Sequence, residues 1–195
     1  MATFLVAIGY LVGSIPTGVL IARLAGVDVR RVGSGNIGAT NVTRSAGLRP
    51  GLFTLLGDTL KGALPILLAR WLHASEGVEA AVGAAAVAGH VFPVTLGFRG
   101  GKGVATALGV LGVLAPVVAG AVLVAFAAVV VASRWVSAGS LVAAGLAPVL
   151  LALLGHPRVH VLTMCGISLL ILVRHRANIG RLLAGTEPKL GLPVD

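Results

Sequence analysis

Uncharged apolar runs dominate the chain, and polar residues gather in the segments between them. Four runs hold about 18 residues or more without a charge, the length that a membrane-spanning helix needs. They are residues 1–22, 80–98, 104–133 and 135–155. Two weaker runs complete the set, because 52–72 carries three charged residues and 159–173 is short. The pattern predicts an all-α, polytopic integral membrane protein.

The run at 104–133 is too long for one span and short for two. Its 30 residues would make a helix about 45 Å long, whereas two full spans need roughly 20 residues each. Pro116 is the predicted breaking point, so we expect a short or re-entrant helix before it. The resulting prediction is a single membrane domain over residues 1–195 with seven transmembrane helices. Their approximate limits are 2–22, 52–72, 79–97, 103–115, 116–133, 136–155 and 159–174.

Composition and charge support this class and suggest an orientation. The chain is 57% hydrophobic and only 11% charged, with a net charge of +9. The basic residues lie between the apolar runs, which argues against nucleic acid as a partner. If the amino terminus is outside and 104–133 crosses twice, twelve of the fifteen Lys and Arg residues fall on the inner side; a single crossing divides them eight to six. The positive-inside rule therefore favours two crossings.

The longest polar stretch lies between the first two spans and is centred on residues 33–44. It combines glycines with Ser34, Thr40 and Asn41 and ends on Arg44. Such a loop can wrap an oxyanion with N–H and hydroxyl groups while the guanidinium binds phosphate. Its glycine spacing matches the dinucleotide fingerprint, but the strand and helix context of that motif is missing. The alternative is a glycine-rich connector.

A second polar cluster, residues 97–103, carries Lys102 among glycines and leads directly into an apolar run. Glycines allow successive N–H groups to converge on one anion, and the start of the following helix adds partial positive charge. The P-loop pattern fails, because Leu96 and Gly103 stand where that motif needs a glycine and a hydroxyl residue. The alternative is a flexible interfacial loop with snorkelling basic side chains.

Three residues inside the predicted spans are candidates for a structural or chemical role. Asp58 and Lys61 share a helical face and can form an ion pair, either as a structural pair or with a chemical role. His90 lies a few residues before the second cluster and either reaches the same pocket or bonds a backbone carbonyl. The histidines at 156 and 160 have no acidic partner, so we expect no metal.

The third polar cluster covers residues 174–189. On a helix, His175 and Asn178 share one face, and Asn178 shares another with Arg174 and Arg181. Imidazole, amide and guanidinium groups can therefore face one ligand. The alternative is a basic amphipathic tail on anionic lipid.

These clusters resemble the bacterial acyl-phosphate:glycerol-3-phosphate acyltransferases, the PlsY family. The resemblance covers almost the whole chain. Its motifs are Gly33-Ser34-Gly35-Asn36-Ile37-Gly38-Ala39-Thr40-Asn41-Val42-x-Arg44, Asp58-x-x-Lys61-Gly62, Gly89-His90-x-x-Pro93 through Gly100-Gly101-Lys102-Gly103-Val104-Ala105-Thr106, and Arg174-His175-x-x-Asn178-Ile179-x-Arg181-Leu182-x-x-Gly185-Thr186-Glu187.

The resemblance implies seven helices in a bacterial inner membrane, an outer amino terminus and an active site facing the cytoplasm. It implies transfer of a fatty acyl group from acyl phosphate to the 1-hydroxyl of sn-glycerol 3-phosphate, the first step of phospholipid synthesis. The products are lysophosphatidic acid and phosphate. Membrane lipids are the other expected partners, with no cofactor and no direct use of acyl-CoA or acyl carrier protein. Accordingly, none of the five histidines has Asp five positions later.

The predicted roles follow the clusters. The expected catalytic residues are Ser34, Asn41, Lys102, His175 and Asn178. The expected substrate-binding residues are Gly35, Asn36, Thr40, Arg44, His90, Gly100, Gly101, Gly103 and Arg181.

Three alternatives stay open at this stage. We assign Ser34, Thr40, Asn41, Gly101 and Lys102 to acyl phosphate and the set Arg44, His175, Asn178 and Arg181 to glycerol phosphate, but the two sets can be exchanged. The acceptor proton can pass to a substrate phosphate oxygen, which we favour, or to His175, with Asn178 able only to orient the hydroxyl. A phosphate or glycerol-phosphate carrier is the competing class, although the sequence shows no repeated halves.

Overall fold

The computed structural model describes residues 1–191, and within them the chain forms helices and no strand. One short 3₁₀ helix, Val94–Leu96, lies among the α-helices. The α-helices are α1 (Ala2–Gly13), α2 (Thr17–Leu24), α3 (Ala39–Ala46), α4 (Leu48–Trp71), α5 (Glu76–Val91), α6 (Val104–Leu114), α7 (Pro116–Ser133), α8 (Val136–Leu153), α9 (Arg158–Arg174) and α10 (Arg176–Leu183).

Five stretches of the described chain are long and apolar enough to cross a membrane, and α9 with α10, which bend by 59°, make a sixth candidate. The shorter α6 is also apolar. The predicted all-α polytopic class is confirmed, while the count of seven and the limits of the spans stay predictions. The five stretches are Ala2–Leu24, Leu48–Trp71, Glu76–Leu96, Pro116–Ser133 and Val136–Leu153.

Large apolar side chains cover the outer faces of these helices. Phe53 on α4 is 63% exposed, Val131 on α7 is 82% exposed and Leu169 on α9 is 63% exposed. Soluble proteins rarely expose apolar surface on this scale, whereas lipid tails solvate it without cost. The exposed surface therefore agrees with a protein embedded in a bilayer.

Prolines break two of the apolar runs. α6 ends at Leu114 and α7 begins at Pro116, so the short helix predicted before this proline is present. The run at 2–22, expected to be one continuous helix, is interrupted between α1 and α2 by Pro16, which has no N–H to donate. Run length alone did not indicate this second break, because 21 residues fit one ordinary span.

The contacts divide the described chain into two compact units, which we call the amino-terminal unit (Met1–Val113) and the carboxy-terminal unit (from Leu114). In the amino-terminal unit α1 packs on α4 and α5, and both α2 and α3 pack on α4. α6 approaches α4 so closely that a Cβ atom on Gly62 would lie 2.1 Å from the carbonyl oxygen of Thr106. This contact requires a glycine on α4.

In the carboxy-terminal unit α8 packs between α7 and α9, and α10 follows α9 after the bend. The Ser168 hydroxyl on α9 donates a hydrogen bond to the carbonyl of Ala144 on α8 at 2.7 Å. A buried polar group is thereby satisfied between two apolar helices. The expectation of one domain for the whole chain stays a prediction.

Candidate active site

Asn41 organises the first polar loop. Its Oδ1 accepts the N–H of Ser34 at 3.0 Å, while its Nδ2 lies within 2.9–3.2 Å of the carbonyls of Val29, Val32 and Asn36. The side chain is 3% exposed. The amide therefore holds the loop in shape from within, and the loop presents its other groups.

The remaining predicted residues of this loop lie on either side of a helix start. The Oδ1 of Asn36 accepts the N–H of Gly38 at 2.9 Å, and α3 begins at the next residue. Thr40 and Arg44 are four residues apart on α3 and share a face of it. Gly35 has a φ of 66°, a conformation that glycine adopts readily.

The second polar cluster, which we call the glycine loop (residues 97–103), is tied back to the end of α5. The N–H of Gly100 donates to the carbonyl of Val91, and that of Gly101 to the carbonyl of His90, both at 3.1 Å. These two N–H groups are thus used within the fold. The predicted anion donors in this loop are then Lys102 and the N–H groups of the first turn of α6, which have no partner inside the helix.

The backbone of the glycine loop is bent at both ends. Gly97, Phe98 and Gly103 have φ values of 59°, 61° and 85°. A phenylalanine in this left-handed region is strained, so the surrounding contacts must hold it there. The bend at Gly103 places Lys102 directly before the start of α6.

The two loops are neighbours within the amino-terminal unit. Leu96, the residue before the glycine loop, packs against an apolar cluster beneath the first loop. That cluster includes Ile37 of the loop and Val42 of α3. The expectation that the two anion-type loops lie together agrees with this packing.

A buried charged cluster lies close to the glycine loop. The Asp58 Oδ1 is 2.8 Å from the Lys61 Nζ and 3.5 Å from the His90 Nδ1, and the Thr17 hydroxyl also donates to it. Lys61 further donates to the carbonyl of Ile15 at 3.0 Å. The predicted ion pair on α4 is confirmed, and all three charged or titratable side chains are at most 4% exposed.

His90 lies beneath the glycine loop. A Cβ atom on Gly101 would stand 2.1 Å from the Nε2 of His90, so the loop backbone rests directly on the imidazole ring. The structure thus places this predicted substrate-binding residue between Asp58 and Gly101.

The third cluster belongs to the carboxy-terminal unit and begins with His175, which is 2% exposed. Its Nδ1 lies 2.8 Å from the carbonyl of Ile171. Because a carbonyl only accepts, Nδ1 carries the hydrogen, and Nε2 is the nitrogen that can take up a proton.

Glu187 collects the other two predicted side chains of this cluster. Its Oε1 accepts from the Nδ2 of Asn178 at 2.6 Å, and its Oε2 accepts from the Nε of Arg181 at 2.7 Å. Burial raises the pKa of the Glu187 carboxyl, but the neighbouring Ser137, Asn178 and Arg181 outweigh it and hold that pKa below its ordinary value. The carboxylate therefore stays ionised and orients an amide and a guanidinium.

The segment that carries Glu187 is tied to the turn between α7 and α8. Trp135 donates its indole N–H to the Glu187 carbonyl at 3.1 Å, and Arg134 donates to the Leu190 carbonyl at 2.8 Å. The Lys189 ammonium lies 5.8 Å from the centre of the Trp135 ring, a cation–π contact. The tail is thus fixed at Glu187 and at the residues that follow it.

Sequence analysis gave no role to two residues of these clusters. Glu187 appeared in a motif without a function, and its six-residue separation from Arg181 is not a helical spacing. Thr17 lies 41 residues from Asp58 and carries no signal in the sequence. Apart from His90 on α5, the predicted site residues fall into the two loops of the amino-terminal unit and the third cluster of the carboxy-terminal unit.

The clusters carry the kinds of groups that bind phosphate. Within residues 1–191, no group of three or more His, Cys, Asp and Glu side chains is arranged to hold a metal. Lys102 lies at a glycine turn, and Arg44 and Arg181 lie in the last turns of their helices. Ammonium, guanidinium and N–H donors are the groups with which proteins bind phosphate.

Known proteins are similar to this chain in sequence and in fold over nearly its whole length. A family model described as glycerol-3-phosphate acyltransferase matches residues 3–185. Relatives named glycerol-3-phosphate acyltransferase occur in Trichlorobacter lovleyi, 49% identical over 95% of this chain and 96% of that protein, and in Desulfotalea psychrophila, 53% identical over 92% of this chain and 93% of that protein.

Two crystal structures of PlsY, an integral membrane glycerol 3-phosphate acyltransferase, share the fold. The glycerol 3-phosphate form has a TM-score of 0.94 and 44% identity, covering 97% of this chain and 96% of that chain. The lysophosphatidic acid form has a TM-score of 0.92 and 43% identity, covering 97% and 95%. This chain, with its apolar spans and its three cationic clusters, is an integral membrane protein that belongs to the glycerol-3-phosphate acyltransferase family.

Proposed function

We propose that this protein uses acyl phosphate as its donor and transfers the acyl group to the 1-hydroxyl of sn-glycerol 3-phosphate. The products are lysophosphatidic acid and inorganic phosphate, at the first step of phospholipid synthesis. The observation that carries the proposal is Lys102, which the tied-back glycine loop places directly before the start of α6. An ammonium ion and the N–H groups of a first helical turn can stabilise both a departing phosphate and an oxyanion.

The proposed reaction is a direct transfer. The hydroxyl oxygen forms a bond to the acyl carbonyl carbon, the bond from that carbon to the phosphate oxygen breaks, and the hydroxyl proton ends on the released phosphate. Phosphate is already a good leaving group, so the reaction needs no covalent acyl-enzyme. Either a substrate phosphate oxygen or the Nε2 of His175 accepts the proton, and we favour the substrate.

The predicted residues take two kinds of role in this proposal. Lys102, Ser34 and Thr40 contact acyl phosphate, with Asn41 acting as a positioning residue because its amide is engaged within its own loop. Arg44, Arg181 and His175 act on glycerol phosphate, with Asn178 held in orientation by Glu187. The alternative assignment exchanges the two phosphates.

Palmitoyl-CoA and palmitoyl-acyl carrier protein are not used directly in this proposal. We place the protein in the bacterial inner membrane, with the amino terminus outside and the active site on the cytoplasmic side. The support is the twelve Lys and Arg residues on that side in the favoured arrangement.

The test is lysophosphatidic acid formation by the purified protein from labelled glycerol 3-phosphate and either palmitoyl phosphate or palmitoyl-CoA. We expect product from palmitoyl phosphate alone and a loss of about 10²–10³ in rate for Lys102→Ala. Arg99→Ala is the matched control, because it removes an exposed positive charge from the same loop; its rate should stay within about twofold.

Product from palmitoyl-CoA alone would overturn the proposed donor. Absence of product from both donors in folded protein would overturn the proposed function, and uptake of glycerol 3-phosphate into liposomes would then favour the carrier.

A further inference from the structure

A break in the first apolar run creates backbone groups that the surrounding structure must satisfy. α1 ends at Gly13 and α2 begins at Thr17, so the carbonyls of Ser14 and Ile15 fall between two helices. In an apolar environment an unsatisfied carbonyl is costly. The Thr95 hydroxyl donates to the Ser14 carbonyl at 2.7 Å, and the Lys61 ammonium donates to the Ile15 carbonyl at 3.0 Å.

Lys61 therefore does more than neutralise Asp58. The ammonium joins α4 to the break between α1 and α2, and the Thr17 hydroxyl joins the start of α2 to the same Asp58 carboxylate. Asp58 and Lys61 are 2% and 4% exposed, so water does not compete for these bonds. The side chains of Asp58 and Lys61 are therefore held in fixed positions on α4.

His90 extends this cluster to α5. Its Nδ1 lies 3.5 Å from the Asp58 Oδ1, a close contact without hydrogen-bond geometry, and the opposite edge of the ring supports Gly101. The backbone of His90 and Val91 accepts the N–H groups of Gly101 and Gly100. Movement of the imidazole would therefore move the glycine loop.

We propose that Asp58 and Lys61 act through His90 as positioning residues for the glycine loop. The cluster holds the ring, the ring holds Gly101, and Gly101 fixes the next residue, Lys102, for binding of the acyl-phosphate donor. This inference rests on the proposed function, because it assigns the donor to that loop. It replaces direct substrate binding by His90 with support of the loop from below.

Two substitutions at His90 separate the two edges of its ring. His90→Asn keeps an amide near the position of Nδ1 and leaves the space beneath Gly101 empty, whereas His90→Gln extends an amide to the position of Nε2. For His90→Asn we expect kcat/KM for palmitoyl phosphate to fall about 10–100-fold, while KM for glycerol 3-phosphate stays within about twofold. His90→Gln should recover only part of the loss, because it restores the contact beneath Gly101 but not the contact with Asp58.

A double substitution tests the ion pair without leaving one charge buried alone. Asp58→Asn combined with Lys61→Met removes both charges, and we expect the same selective loss for palmitoyl phosphate. The matched control is Arg70→Met combined with Glu79→Gln, because that pair also joins α4 to α5, at 2.6 Å, and lies near the end of α4 and the start of α5, away from the glycine loop. It should lower thermal stability without changing either KM.

A second readout does not depend on activity. Arg99 and Lys102 are tryptic sites inside the glycine loop, so the rate of cleavage there reports how firmly the loop is held. We expect about tenfold faster cleavage in His90→Asn and in the Asp58/Lys61 double variant, and an unchanged rate in the Arg70/Glu79 control.

The outcomes distinguish failure of the positioning role from failure of the proposed function. Unchanged cleavage and unchanged KM for palmitoyl phosphate in folded variants would overturn the positioning role, even if the wild-type protein is active. An inactive wild-type protein would overturn the proposed function alone, since the cleavage rates still test the cluster. If His90→Asn does not fold, the comparison of wild type with the double variant gives the same decision.

Discussion

The two units bury a carboxylate in different ways. In the amino-terminal unit, Asp58 lies within a long apolar helix and is paired with Lys61, one turn away. In the carboxy-terminal unit, Glu187 lies after the last helix and reaches back to Asn178 and Arg181 on α10. Asp58 is shielded from solvent on every side, whereas Glu187 is paired with the partly exposed guanidinium of Arg181.

This difference shows how each unit can hold its cationic cluster in place. A charge inside an apolar helix must bring its own counter-charge, so Asp58 and Lys61 form a fixed support on which His90 rests. A carboxylate in a tail reaches its partners only when the tail folds back. The position of Glu187 therefore depends on the contacts that tie the tail to the turn before α8. We expect variants of the first cluster to have larger effects on stability than variants of the second.

The largest effect is expected for Lys61→Met. This change leaves the buried Asp58 charge without its partner and removes the donor to the Ile15 carbonyl, so it should destabilise the protein by about 3–5 kcal/mol. Thermal unfolding in detergent measures the loss. The Asp58→Asn/Lys61→Met double variant should be more stable than the single variant, and equal stability would contradict an ionised pair.

Glu187→Gln is expected to have a smaller effect. It removes the charge that binds Arg181, but the Arg181 side chain is 39% exposed and water screens the pair. We expect a cost of about 1–2 kcal/mol and a rise in KM for glycerol 3-phosphate. Glu76→Gln, on an exposed part of α5, is the control. If KM for palmitoyl phosphate rises instead, the third cluster binds the acyl-phosphate donor, and the two substrate assignments must be exchanged.

Trp135→Phe tests the tie between the tail and the turn before α8. The ring stays, but the hydrogen bond from the indole N–H to the Glu187 carbonyl is lost, at a cost of about 1 kcal/mol. We expect faster tryptic cleavage after Lys189 with little change in global unfolding. An unchanged cleavage rate would show that the indole hydrogen bond does not hold the tail.

The smallest effect concerns pH. Because the pKa of Glu187 lies below its ordinary value of 4.5 in the folded protein, the stabilisation that it provides is present above that value. It is lost as the pH falls through the lowered pKa of the folded state. Pepsin cleavage of the tail should therefore increase below about pH 4.5 in the wild type. Glu187→Gln should lack this step, and an equal step in both proteins would assign it to another group.

The same comparison explains how far the sequence can be interpreted. The Asp58–Lys61 pair was predicted because a spacing of three residues on a helix places both side chains on one face. The Glu187 contacts could not be predicted, because they require the tail to turn at Gly185 and fold back on α10, which no helical spacing encodes. The cost of an isolated intramembrane charge likewise indicated a partner for Asp58, but not the contribution of Thr17.

The polar loops show the same limit. Composition correctly indicated that residues 33–44 are rich in hydrogen bonds, but it could not show that the Asn41 amide points into its own loop. Likewise, the glycines at 100 and 101 suggested free N–H donors, whereas the structure engages both with the end of α5. The direction of a hydrogen bond depends on packing between elements, and residue type alone does not determine it.

The central proposal is that the acyl group passes directly from bound acyl phosphate to bound glycerol 3-phosphate. Initial rates measured while the concentrations of both substrates are varied test this most directly. We expect intersecting double-reciprocal lines, because both substrates must be bound before transfer, and no phosphate release without glycerol 3-phosphate beyond slow hydrolysis. Parallel lines, together with a stoichiometric burst of phosphate from palmitoyl phosphate alone, would reveal an acyl-enzyme and contradict the account.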